Sequence, residues 1–179
     1  MALIDADGRL ETSRLLLRRV TLRDADLMLA IWNDPAFIRF VGDRGIRTVE
    51  EARGALKEGA LHLFATYGYG PFCVVRKTDG RRLGICGLFR RDNLDDPDIG
   101  FALLPQYCGV GFAMEAADAV IDHARDDLGL EIVMAIVSPE NVASIGLIEK
   151  LGLSFERHIT MPGEDQEISL YSMQLTHSS

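Results

Sequence analysis

The run Cys108-Gly109-Val110-Gly111-Phe112-Ala113 carries the strongest chemical signal in the chain. It stands between an apolar run, Ile99 to Leu104, and a stretch from Gly111 to Arg125 with helical spacing. Glycines at such a junction let successive backbone N–H groups point into one concavity. The first turn of the following helix adds unpaired N–H donors and a partial positive charge. Together these predict an anion site suited to a pyrophosphate. Small Ala113 lets a ligand come close to the helix. The plainer alternative is a helix start that needs small residues only for packing. Two familiar phosphate loops fit poorly. A Walker A loop requires Gly-Lys-Ser/Thr, and this segment has no lysine. A dinucleotide fingerprint requires Gly or Ala three residues after the second glycine, with its strand near the start of the chain. Here Met114 takes that place and the strand lies mid-chain.

The elements that must hold this loop are readable from periodicity. Ile99–Leu104 and Glu131–Val137 are apolar on both faces, as strands in the covered middle of a sheet are. With the intervening helix they form a βαβ unit containing a parallel pair. On that helix Phe112, Ala116, Ala119, Val120 and His123 share one face, and Glu115, Asp118 and Asp122 form a solvated stripe on the other. Upstream, Ser13–Val20 reads as a first strand. A helix from Leu22 stops near Asn33-Asp34-Pro35. Thr48 and Glu51 form a capping box for a helix reaching about Phe64. Strands Phe72–Lys77 and Leu83–Phe89 flank the turn Thr78-Asp79-Gly80. Downstream, Val142–Leu151 is a helix closed by Gly152, and Phe155–Thr160 with Ile168–Leu175 makes a last hairpin. These elements fit one mixed α/β domain spanning residues 1–179, its ordered core at about 12–175, without repeats or linkers.

Composition narrows the class. The chain has 179 residues, of which 47% are hydrophobic and 26% charged. That is enough to bury a core without metals or disulfides. Its net charge of -8 argues against a nucleic-acid binder and suits a cationic partner, or simply solubility. Cys73, Cys86 and Cys108 form no C-x-x-C pair, which predicts a reduced, cytoplasmic protein. His62, His123, His158 and His177 lie too far apart in sequence for a metal site, so no metal is expected. Met1–Leu10 does not read as a signal peptide. No apolar run reaches the roughly 18 residues that a membrane span needs.

Further segments carry a resemblance. Thr12-Ser13-Arg14-Leu15-Leu16-Leu17-Arg18, Asp98-Ile99-Gly100-Phe101, Gly109 to Ala116, Asn141-Val142-Ala143-Ser144 and Lys150-Leu151-Gly152-Leu153 appear in this order. They resemble T-x-R-L-x-L-R, E-I-G-Y, G-x-G-Y-A-x-E-A, N-x-x-S and K-x-G-F of the GNAT acetyltransferase superfamily, in its ribosomal-protein-alanine (RimJ/RimL-like) branch. Within the superfamily's Q/R-x-x-G-x-G/A coenzyme loop, Cys108 stands where Gln or Arg is usual.

The resemblance implies a mixed, largely antiparallel sheet of six or seven strands flanked by helices, with the parallel pair splayed apart. It implies acetyl-coenzyme A as co-substrate and direct attack of an amine on the thioester. The coenzyme would be held by Leu103, Leu104, Cys108, Gly109, Val110, Gly111, Phe112, Ala113, Asn141 and Ser144. An amine with pKa near 10 must first lose a proton, and Asp98 stands at the family's Glu position as candidate base; a solvated strand-start carboxylate is the alternative. Ile148 takes the place of the usual acid Tyr, which leaves Ser144 to donate to the leaving thiolate. Asn141 and Ser144 could equally cap a helix. Trp32 and Phe37 would shape the acceptor pocket, or pack in the core, and Glu164 would attract a cationic acceptor, or sit in a polar turn. The partner expected is a small-molecule or peptide amine, and exposed strand edges would allow a homodimer. A non-catalytic acyl-coenzyme A sensor and an unrelated phosphate-binding protein are the competing readings.

Overall fold

The computed structural model describes residues 3–176; residues 1–2 and 177–179, with His177 among them, lie outside the described residues. Its strands are β1 (Leu3–Ile4), β2 (Leu10–Glu11), β3 (Leu15–Arg19), β4 (Pro71–Arg76), β5 (Arg82–Phe89), β6 (Asp98–Leu103), β7 (Ile132–Val137), β8 (Ser154–Thr160) and β9 (Glu167–Gln174). They form one sheet in the order β1-β2-β3-β4-β5-β6-β7-β9-β8. Every neighbouring pair is antiparallel except β6 and β7, which are parallel. The seven strands of five residues or more match the expected number. The two-residue strands β1 and β2 extend the sheet to nine. They escaped the sequence reading because two residues cannot show a period of two.

The helices are α1 (Ala25–Trp32), α2 (Pro35–Phe40), α3 (Val49–Leu56), α4 (His62–Tyr67), α5 (Phe112–Asp126) and α6 (Val142–Lys150). Thr48 and Glu51 do form the capping box of α3: the Thr48 Oγ1 accepts from the Glu51 N–H at 3.2 Å and Glu51 accepts from the Thr48 N–H at 3.0 Å. A π-helical turn, Lys57–Leu61, joins α3 to α4. Gly68, at φ 78°, ends the run a few residues beyond the expected Phe64, in the left-handed conformation usual at a helix end. Asn33-Asp34-Pro35 ends α1 as expected but also opens α2. The Asp34 carboxylate accepts the Ala36 and Phe37 N–H groups. Pro35 takes the first helical position, where its missing N–H costs nothing.

The sheet is covered on both faces. On one face α5 and α6 pack Ala116, Val120 and Ile148 over Leu17, Val74, Leu88, Ile99 and Val133. On the other, α1 and α3 lay Met28, Ile31, Trp32, Ala52 and Leu56 over Cys73 and Ile85. Leu94, Met134 and Leu170 form a separate small cluster farther along. Each fully buried Leu or Val contributes about 1.5–3 kcal/mol, so this two-sided burial dominates the stability. A polar anchor fixes the first turn. Buried Asp24 accepts two bonds of 2.8 Å from Arg18, one of 2.9 Å from the Thr21 N–H and one of 3.3 Å from Arg82, tying α1 to β3 and β5. Among the described residues no helix is long and apolar enough to cross a membrane.

Candidate active site

The glycine loop has the conformation its sequence calls for. Gly109 and Gly111 lie at φ 82° and 87°, in the left-handed region that favours glycine. At Gly111 a Cβ would also meet the Arg14 Nη2 at 3.3 Å. The first backbone bond of α5 runs from the Glu115 N–H to the Gly111 carbonyl at 3.1 Å. No acceptor among the described residues takes the N–H groups from Gly109 to Met114. A row of free donors thus coincides with the positive end of a fifteen-residue helix.

A clamp from the N-terminal strands holds this loop. Arg14 donates to the Val110 carbonyl at 3.1 Å and lays its guanidinium 4.5 Å from the centre of the Phe112 ring. Glu115 accepts from the Thr12 hydroxyl at 2.6 Å, the Arg14 N–H at 2.8 Å and the Arg14 Nε at 2.6 Å. Partial burial pushes the Glu115 carboxyl up, but these donors outweigh it and hold it below its ordinary value. Glu115 therefore leaves the expected solvated stripe, while Asp118 stays exposed. The clamp joins positions about a hundred residues apart, which no local pattern could reveal.

The parallel pair opens beside the loop. β5 holds β6 along its whole length, from Gly84↔Leu103 to Phe89↔Asp98. On its other edge β6 pairs with β7 in register only at Asp98↔Met134, reinforced by the Met134 N–H bond to the Pro97 carbonyl at 2.9 Å. Beyond that rung the two strands part, with half-buried Leu103 and Leu104 at the open end and Asp98 at the closed one.

Asp98 is 1% exposed, so the expectation of a solvated strand-start carboxylate does not hold. The Arg91 Nε lies 3.1 Å from each carboxylate oxygen. Burial raises the Asp98 carboxyl above its ordinary value, and the Arg91 charge and hydrogen bonds offset only part of that. Phe89 covers the neighbouring backbone: its ring would come within 2.8 Å of a Cβ at Gly100, which explains the glycine there.

Across the gap, the Asn141 Oδ1 accepts the Ser144 N–H at 3.3 Å, so Asn141 caps α6. The Ser144 hydroxyl is half-buried and has no partner among the described residues. Ile148, at the usual Tyr position, is 2% exposed and belongs to the core. The Cys108 thiol donates to the Leu104 carbonyl at 3.6 Å. Partial burial raises its pKa, so it is not an activated nucleophile. His123 is buried, with Nδ1 2.7 Å from Asp127 and its ring edge-on to Phe72, a core residue as expected.

The acceptor candidates are scattered. Trp32 is 5% exposed within the second core cluster, and the Arg44 guanidinium lies 4.7 Å from its ring centre. Phe37 packs half-buried against the same cluster. Glu164 is exposed on the β8–β9 turn, outside that cluster. The sequence reading gave no role to Thr12, Arg14, Arg44 or Arg91; contacts across about a hundred residues bring Thr12 and Arg14 to the loop, whereas Arg91 lies only seven residues from Asp98. Among the described residues no group of three His, Cys, Asp or Glu side chains is placed to hold a metal ion.

These features meet known proteins at one point. The model of the acetyltransferase (GNAT) domain family matches residues 14–154, and the chain belongs to this family. It is an acetyltransferase, of a family that acetylates amines. It is similar to the Uncharacterized N-acetyltransferase p20 of Bacillus licheniformis, at 32% identity over 82% of this chain and 83% of the relative. The fold is shared with the ribosomal L7/L12 α-N-protein acetyltransferase RimL in complex with coenzyme A, at TM-score 0.78 and 14% identity over 92% of this chain and 96% of that one. It is shared too with spermidine N-acetyltransferase from Vibrio cholerae in complex with coenzyme A and spermine, at TM-score 0.76 and 17% identity over 92% and 97%.

Proposed function

We propose that the protein moves the acetyl group of acetyl-coenzyme A to a primary amine by direct attack. The observation that carries this reading is the coincidence of the free N–H groups from Gly109 to Met114 with the parted strands β6 and β7. The donors suit a pyrophosphate, and the unpaired edge of β6 near Leu103 and Leu104 suits the amides of a pantetheine arm. A thioester reaching the closed end of the gap would then stand near Asp98. RimL and spermidine N-acetyltransferase bind coenzyme A, according to their names, which supports the same co-substrate here.

In this reading Asp98 takes a proton from the acceptor ammonium, directly or through one water. The amine lone pair forms the new N–C bond, and a main-chain N–H stabilises the negative charge that develops on the thioester oxygen. The C–S bond then breaks, the proton still carried by the acylated nitrogen passes to the departing thiolate to give free thiol and amide, and Ser144 donates a hydrogen bond to that sulfur. The RimL likeness supports a protein N-terminal amine as acceptor, and the spermidine enzyme supports a small amine.

Titration with coenzyme A should show saturable binding, and acetyl-coenzyme A with a panel of amines should release free thiol. Binding without thiol release would favour a sensor, and no binding would remove the proposal. Ser144→Ala should lower kcat roughly 3–30-fold with coenzyme affinity unchanged, the loss of one hydrogen bond to a charged group. If it weakened coenzyme binding and left kcat intact, Ser144 would serve only the helix cap and the carrier.

A further inference from the structure

The sheet face opposite α5 carries Asp98, Gly100 and Ala102. Apolar cover on that face stops on both sides of Asp98. On one side lies the cluster containing Trp32, Phe37, Phe89 and Ala102; on the other lies the one formed by Leu94, Met134 and Leu170. The charged side chains beside Asp98 and Trp32 at this boundary are arginines. Arg91 commits its Nε to Asp98, and its two terminal nitrogens have no acceptor among the described residues. Arg44 lies flat on Trp32 and has neither an ion pair nor a hydrogen bond among the described residues. Partial burial and the adjacent Arg91 charge both hold Arg44 below its ordinary pKa, so the two guanidiniums oppose each other.

This arrangement runs against the composition of a chain with 27 acidic and 19 basic side chains. Of these two neighbouring cations only Arg91 reaches a carboxylate, that of buried Asp98. A polyamine would bring further positive charge to a place already short of negative charge. A carboxylate would relieve the repulsion, and a planar guanidinium offers it paired N–H donors. An amine with a carboxylate a few bonds away could present the nitrogen to Asp98 and the anion to the arginines.

We infer that the acceptor is a small amino acid whose carboxylate is held by Arg44 and the free end of Arg91. This rests on the acetyl-transfer reading above. The test is a steady-state thiol-release assay with acetyl-coenzyme A against α-amino acids, their C-terminal amides and spermidine, on the wild type, Arg44→Gln and Arg44→Lys. The best amino acid should exceed its own amide, and spermidine, roughly 10–100-fold in kcat/KM. Arg44→Gln should erase that advantage, chiefly through KM. It should leave coenzyme affinity and the amide's rate unchanged, and Arg44→Lys should restore part of the loss. Amides or spermidine turned over as well as the free acids would overturn the inference while leaving acetyl transfer intact. So would an Arg44→Gln defect equal for acid and amide. Absence of thiol release with every amine, or of coenzyme binding, would remove both.

Discussion

Asp98→Asn is expected to lower kcat/KM roughly 10²–10⁴-fold at neutral pH, the span of a general base, while coenzyme affinity stays as in the wild type. The carboxylate sits where β6 and β7 meet, out of solvent, with a pKa raised by burial above its ordinary 3.8. A buried carboxylate with a raised pKa accepts a proton more readily than a solvated one, and the Arg91 charge and hydrogen bonds limit that rise. The acid limb of the wild-type rate profile should therefore fall as pH drops through a value above 3.8, and that limb should vanish in the Asn variant. Stability gives an independent check. A folded-state pKa above the unfolded one means that ionising Asp98 costs stability as pH rises from 3.8 through the folded value. The neutral Asn avoids that cost, and the Arg91 side chain it leaves unpaired is already 38% exposed to water. Tm should therefore move by only a few degrees. Unchanged kinetics across the pH range would take Asp98 out of the mechanism.

The largest loss of stability is expected from Asp24→Ala. The Asp24 side chain is 0% exposed and receives Arg18, Arg82 and the Thr21 N–H together. Removing one partner of a buried ion pair costs about 3–5 kcal/mol. Arg18 and Arg82 keep 31% and 33% of their side chains exposed. Water therefore recovers part of the loss, and the lower figure applies. For a chain of this size about 3 kcal/mol corresponds to a Tm roughly 6–12 °C lower, readable by calorimetry. Burial alone would raise the Asp24 carboxyl, but the hydrogen bond from Arg18, with those from Thr21 and Arg82, brings it below 3.8. Its contribution is therefore complete above pH 3.8 and fades as pH falls through the lower folded value, so wild type and variant should converge in strong acid. Equal melting temperatures at pH 7 would show the network to be idle.

Legibility of the fold followed the length of its signals. Strands of five residues and more, the Thr48–Glu51 cap and the βαβ unit could be read because each repeats a period or places a cap at fixed spacing. The short strands at Leu3 and Leu10, and helix α2 behind Asp34, gave too few residues for a period to show. At the site, the loop from Gly109 to Ala113 was readable because left-handed backbone demands glycine. The burial of Asp98 was not, because the sequence placed the residue at a strand start but could not show that Arg91 pairs with it and that the Phe89 ring covers Gly100 beside it. Glu115 misled for the same reason: a charge on the polar face of a helix reads as solvated until a distant strand supplies Thr12 and Arg14. Trp32 could be read as pocket or core, and the structure puts its ring under Arg44 within the core.

The single rung between Asp98 and Met134 makes the sheet two antiparallel plates, β1 to β6 and β7 to β9, joined along a seam that is fastened at one end. Helix α5 packs on the first plate, over β2, β3, β5 and β6, and the two plates meet chiefly through the shared apolar core that includes Ile99, Val133 and Tyr171. A carrier lying along the seam would act as the missing stitches, adding main-chain bonds where β6 and β7 part, so that this stretch of the sheet would be slackest just after the product and the spent thiol depart.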